Sequence, residues 1–185
     1  MNTTSEHSAR PLGQLPKPVV LVGLMGAGKS TIGRRLARKL NLEFVDSDQE
    51  IENAAHCSIS DIFEIQGEAY FRELERKVIG RLLDRAPHVL ATGGGAFIQE
   101  ETRTLIKRNA ISIWLRADLD VLVERVSRRN VRPLLEKGDK RDILSRLMEE
   151  RYPIYANADI AIDSSDGEHH IVVHKIVDAL RSYMS

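Results

Sequence analysis

Gly23-Leu24-Met25-Gly26-Ala27-Gly28-Lys29-Ser30 reads glycine, four residues, then Gly-Lys-Ser, the full pattern of a loop that binds phosphate groups. Each residue type has a chemical reason to be there. Glycines let the backbone curl with its N–H groups turned inward, and a helix starting at once adds unpaired N–H groups and a positive dipole end. Lys29 supplies a cation for β- and γ-phosphates, and the Ser30 hydroxyl is a ligand for Mg²⁺. The flanks agree. Pro18–Val22 is an apolar run of the kind buried on both faces of a sheet. Behind the loop, Ile32, Leu36, Ala37 and Leu40 fall on one helical face. The loop implies a nucleotide.

Three further groups could do chemistry. Asp46 and Asp48 close a short run, Asn41–Asp48, and alternation along an extended chain sends both side chains to one side. At the carboxyl end of an α/β strand they face the ligand crevice; the competing reading is a pair of loop aspartates that cap the next helix. Gly93-Gly94-Gly95 follows the apolar run His88–Thr92. Three glycines suit a backbone that something approaches closely, or simply a permissive turn. Arg128, Arg129 and Arg132 precede Pro133, either as a mobile segment reaching phosphates or as a solvated helix end. Arg72 sits on an amphipathic helix, where most arginines face water.

These residues need a frame. Apolar runs at 18–22, 41–48, 88–92, 111–115 and 158–163 read as strands. Helical spacing appears at 31–40, 58–83, 99–109, 118–129, 142–152 and 171–183, and Gly67 is expected to break the longest of these in two. Strand and helix alternate, so the connections are right-handed crossovers and the sheet is parallel. A single α/β domain over 18–185 is expected, a three-layer α/β/α sandwich around a five-stranded parallel sheet. Residues 1–17 read as a flexible leader.

Composition narrows the partners. Lys plus Arg and Asp plus Glu number 27 each, so no broad charged surface is expected for nucleic acid or an anionic membrane. Cys57 is the single cysteine and cannot form an internal disulfide, which fits a reducing compartment. The first residues carry no charged-then-apolar signal. A cytoplasmic protein that acts as a monomer on small molecules is expected.

Six segments, in order, make the chain resemble the shikimate kinases: GLMGAGKSTIGRRLA at 23–37, FVDSD at 44–48, IFEIQGEAYFRELE at 62–75, ATGGG at 91–95, RPLL at 132–135 and RYPIYANAD at 151–159. The resemblance implies a P-loop kinase fold. It also implies transfer of a phosphoryl group from ATP, with Mg²⁺, to the 3-hydroxyl of shikimate, on the route to chorismate and aromatic amino acids. Shikimate carries one carboxylate, which suits guanidinium forks, and by resemblance these are Arg72 and Arg151. Asp48 matches the aspartate that meets the reacting hydroxyl. Gly93, Gly94 and Gly95 match the backbone wall against the substrate, and Asp46 the group that holds Mg²⁺ together with Ser30. The ATP contacts implied are Gly26, Ala27, Gly28, Lys29, Ser30 and Thr31, with Arg125 against adenine and Arg132 closing from a lid at about 126–140. Lys29, Asp48 and Arg132 would carry catalysis. The pattern departs after the fifth strand, where Ser165–His170 has neither the Pro nor the Gln usual in the family's adenine loop. A gluconate-type sugar-acid kinase shares the fold and an anionic polyol acceptor, and a nucleotide-dependent switch is the rival outside enzymes.

Overall fold

β1, Val19–Val22, is buried along its whole length. It is the middle strand of five in a computed structural model that describes residues 15–128, 138–164 and 168–185. With β2 (Phe44–Asp46), β3 (Val89–Ala91), β4 (Ile111–Arg116) and β5 (Ile160–Asp163) it forms a parallel sheet in the order β2-β3-β1-β4-β5. Side chains of β1 at 0% exposure on both faces require a layer of helix on each. The helices are α1 (Lys29–Leu40), α2 (Ser47–Ala55), α3 (Ile59–Leu83), α4 (Glu100–Asn109), α5 (Leu119–Ser127), α6 (Lys140–Tyr155) and α7 (His169–Tyr183). α1 packs on α7, α3 on α4 and α5 on α6. Leu36, Ile79, Leu82, Ile106, Leu122 and Ile176 seal the layers at 0–1% exposure. Each such side chain contributes about 1.5–3 kcal/mol on burial, so the core carries stability and the strand ends can be given to polar groups. No helix among the described residues is long and apolar enough to cross a membrane.

Strand order decides where the polar groups gather. The connection from β1 runs outward to β2, and the connection from β3 runs back across β1 to β4. The loops that leave β1 and β3 therefore diverge, and the crevice between them is where open α/β sheets take ligands. Leu21 pairs with Ala91 in register, so Gly23–Ser30 and Gly93–Gly95 emerge side by side.

Several bounds differ from the sequence reading, each for a local reason. β2 stops at Asp46 because its side chain accepts a hydrogen bond from Asp48 N (3.0 Å) and caps α2. Asp48 thus lies in the first turn of a helix rather than on an extended strand. α3 is interrupted at Gly67, φ 82° and ψ 173°, where the break was expected. α6 does not end at Tyr152; it continues through Pro153 to Tyr155. Only one N–H is lost there, and Asn157 Nδ2 donates to the carbonyls of Pro153 (3.2 Å) and Ile154 (3.0 Å). The leader expected over 1–17 is anchored at its end. Leu15 is 7% exposed within the core, and Lys17 Nζ donates to Arg108 O (3.0 Å). Residues 1–14 lie outside the described residues.

Candidate active site

Gly28 is the N-cap of α1, with φ 95° and no capping side chain. Glycine is needed there because a Cβ would strain that backbone, and the first N–H groups of α1 point out of the loop toward an anion. Lys29 follows at once. Its Nζ donates to the carbonyls of Gly23 (2.7 Å) and Leu24 (2.9 Å), which folds the cation back over its own loop. Ser30 Oγ donates to Asp46 Oδ2 (3.0 Å), so the hydroxyl and the carboxylate paired by resemblance are in contact. Two hard oxygen donors suit Mg²⁺ held mostly by phosphates. Among the described residues no cluster of three or more His, Cys, Asp or Glu could hold a metal without such help.

The glycine run is a wall with side chains close against it. A Cβ on Gly93 would stand 2.9 Å from Asp48 Oδ1 and 3.3 Å from Glu75 Oε1. On Gly94 it would stand 3.6 Å from a guanidinium nitrogen of Arg151 and 3.6 Å from Gly23 O. On Gly95 it would stand 2.4 Å from one guanidinium nitrogen of Arg72 and 2.6 Å from the other. Asp48, Arg72 and Arg151 therefore meet along three consecutive residues, next to the phosphate loop. Gly93 N donates to Ser47 Oγ (3.3 Å), which ties the wall to α2. Asp46 and Asp48 also line a cleft of about 500 Å³ with Arg34 and Phe44. Arg72 lines another of about 550 Å³ with Arg76 and Gln99. Neither cleft holds both charges; the wall does.

Arg72 is held by acids on its own helix. One guanidinium nitrogen donates to Glu75 Oε2 (2.7 Å), and Nε and the other nitrogen reach Glu68 Oε1 (3.4 Å each). Glu75 is 1% exposed. Burial raises its pKa, and the Arg72 charge and hydrogen bond offset part of that. Its Oε1 is buried with no hydrogen-bond partner among the described residues. The sequence reading quoted FRELE without giving Glu75 a role, although an acid four residues after Phe71 falls on the apolar stripe of α3, where a solvated side chain does not belong.

Tyr155 was also missed. It is fully buried at the end of α6, and its hydroxyl donates to Gly94 O (2.5 Å). Burial pushes its pKa up to about 12, opposed by the charge and hydrogen bond of Arg151. The phenol is therefore a fixed donor that holds the wall from behind. Tyr152 and Tyr155 both pack on Trp114, with ring centroids at 5.0 and 6.0 Å. A buried tyrosine beyond Pro153 could not be expected once the helix had been ended at 152.

Arg125 bridges the phosphate loop to the end of the sheet. One nitrogen donates to the carbonyls of Gly26 (3.3 Å) and Ala27 (3.4 Å), and the other to Ser164 O (2.8 Å). Burial lowers its pKa, with Glu124 opposing. It stands beside the phosphate loop with its guanidinium given to backbone carbonyls. Gly26, Ala27 and Thr31 lie in the loop and the first turn of α1. Arg132, and the lid apart from its ends, fall outside the described residues, as do residues 165–167 of the adenine loop.

Comparison with known proteins agrees with this geometry. The shikimate kinase family model matches residues 25–181. A shikimate kinase from Paramagnetospirillum magneticum is 56% identical over 172 residues, covering 93% of this chain and 88% of the relative. The solved structure of shikimate kinase from Acinetobacter baumannii in complex with shikimate superposes with a TM-score of 0.85 at 38% identity, over 90% of this chain and 93% of that one. A gluconokinase from Sinorhizobium meliloti reaches a TM-score of 0.56 at 18% identity, over 91% and 98% of the two chains, and shares the fold alone. With a phosphate loop, a glycine wall and two guanidinium groups gathered at one crevice, and with this degree of identity, the chain belongs to the shikimate kinase family.

Proposed function

We propose that the protein transfers the γ-phosphoryl group of ATP to the 3-hydroxyl of shikimate, giving shikimate 3-phosphate and ADP. The observation that carries this reading is the approach of Asp48, Arg72 and Arg151 to Gly93–Gly95, beside Lys29. Arg72 and Arg151 grip the acceptor carboxylate and turn the ring so that one hydroxyl faces the phosphate loop. The bond from that hydroxyl oxygen to the γ-phosphorus forms as the bond to the β–γ bridging oxygen breaks. Asp48 accepts the hydroxyl proton late, because little covalent help is needed in a loose phosphoryl transition state. Lys29 turns from its own loop carbonyls to the β- and γ-phosphates, and Arg132 closes over them. Ser30 and Asp46 would hold Mg²⁺, Asp46 through water. When bound, the ion supplies neutralisation of phosphate charge. The reading carries with it a place on the route to chorismate and aromatic amino acids, a cytoplasmic location, and action as a monomer without nucleic-acid or membrane partners.

ADP release by the purified protein, followed with and without shikimate, tests the reading. Turnover is expected only with shikimate, and gluconate at the same concentration should leave the rate at background. Gluconate-dependent turnover would move the protein to the sugar-acid kinases, and acceptor-independent ATP hydrolysis would favour the switch.

The wall yields a sharper expectation. Gly95 has φ −86° and ψ −13°, open to any residue, so Gly95→Ala strains no backbone. Its methyl instead displaces the Arg72 guanidinium, the movable end of a long side chain. Misplacement of about 1 Å can cost on the order of a hundredfold in rate. KM for shikimate should rise roughly tenfold or more as the carboxylate fork is displaced, while KM for ATP stays near wild type in initial-rate experiments; Tm should fall as far as the moved guanidinium loosens from Glu75.

A further inference from the structure

Gly67 breaks α3 with φ 82° and ψ 173°, a combination open to glycine and closed to residues with a side chain. Among the described residues nothing stands within 4 Å of the place its Cβ would take, so crowding by them is not the reason for the glycine. The fold of the helix is. In an unbroken helix, residues eight apart are separated by about 12 Å along the axis and about 80° around it. Yet the rings of Phe63 and Phe71 meet with centroids 4.6 Å apart. They can touch only because the chain turns between them.

The two halves carry different parts of the site. α2 packs on α3, and the half before the break is tied to it where Ile59 N donates to Glu52 Oε1 (3.0 Å); α2 carries Asp48 in its first turn. The half after the break carries Arg72 and Glu75. Phe71 in turn lies against Arg72, 5.1 Å from the guanidinium carbon to the ring centroid.

We propose that Gly67 is a positioning residue for the acceptor site. Its backbone sets the angle between the halves of α3, and so the placement of the reacting aspartate against the carboxylate fork, with the Phe63–Phe71 contact as the clasp. The proposal rests on the reading that Asp48 and Arg72 hold one acceptor. An alanine at 67 returns the backbone to helical angles and draws the two rings apart.

Two measurements on Gly67→Ala test it. NOEs between the Phe63 and Phe71 rings, expected in the wild type, should vanish in the variant; this readout needs no activity, so it separates the role of Gly67 from the identity of the acceptor. In kinetics, kcat/KM for shikimate should fall about tenfold or more, as a shift of about 1 Å between reacting groups suffices for such losses, with KM for ATP unchanged. Ring NOEs that persist, or equal losses for both substrates, would overturn the proposal. Should Gly67→Ala fail to fold, Phe63→Ala removes the clasp without touching the backbone. It should lower kcat/KM for shikimate severalfold and leave KM for ATP alone; an unchanged kcat/KM for shikimate there would overturn the proposal too.

Discussion

Asp48→Asn is expected to lower kcat by about 10²- to 10⁴-fold, the range over which a positioned general base contributes, with KM for shikimate changed less than severalfold. The asparagine keeps the size of the side chain and its place in the first turn of α2, so the cap made by Asp46 and the contact with Gly93 survive. What is lost is an acceptor for the hydroxyl proton. An interaction made mainly in the transition state shows in kcat rather than in KM. Steady-state kinetics with each substrate varied will distinguish this from its alternative. A large rise in shikimate KM at unchanged kcat would make Asp48 a binding group and the proton assignment wrong.

Arg72→Met should produce two separable losses. Acceptor affinity should fall by about 2–5 kcal/mol, the usual effect of truncating one partner of a buried charge pair, which is roughly 30-fold or more in binding. Stability should fall as well, because Glu75 is left buried without its cation, and breaking such pairs costs about 3–5 kcal/mol. The pH dependence has a definite sign. Burial already holds the Glu75 carboxyl above its ordinary range, and Arg72 is the main opposing influence. The folded state therefore binds more protons than the unfolded one just above the ordinary carboxylate range, so this group's contribution to stability falls as pH rises through that window. Without Arg72 the window widens upward. The urea-unfolding deficit of Arg72→Met should be larger at about pH 7.5 than at about pH 5. Adding Glu75→Gln should recover much of the stability and none of the shikimate affinity. Recovery of both would mean that Arg72 served the fold and not the acceptor.

The parts legible from the chain alone share one property: a short-range pattern decided them. The phosphate loop has its residues within eight positions. β1 reads as buried because Val19–Val22 is uninterrupted, and Gly67 reads as a break because glycine in a long helix needs a reason. Arg72 and Arg151 are tied to the site by resemblance and Asp48 by its place after a short apolar run, but their meeting at the glycine wall depends on a β2-β3-β1 order that no local pattern specifies. The missed features are those settled by tertiary contact. α6 runs past Pro153 because its end is fixed to Gly94 and Trp114 through Tyr155, which outweighs one lost hydrogen bond. Asp46 caps α2 while also taking the Ser30 hydroxyl, a double use invisible to the alternation argument. Glu75 became intelligible only with its guanidinium partner in view.

The aromatic stack behind the wall has an optical consequence. Trp114 is the sole indole in the chain, and it rests on the two tyrosines at the end of the helix that also bears Arg151. Any change in how that helix is seated alters the surroundings of the one tryptophan, so the native protein carries its own fluorophore for following carboxylate capture without a label.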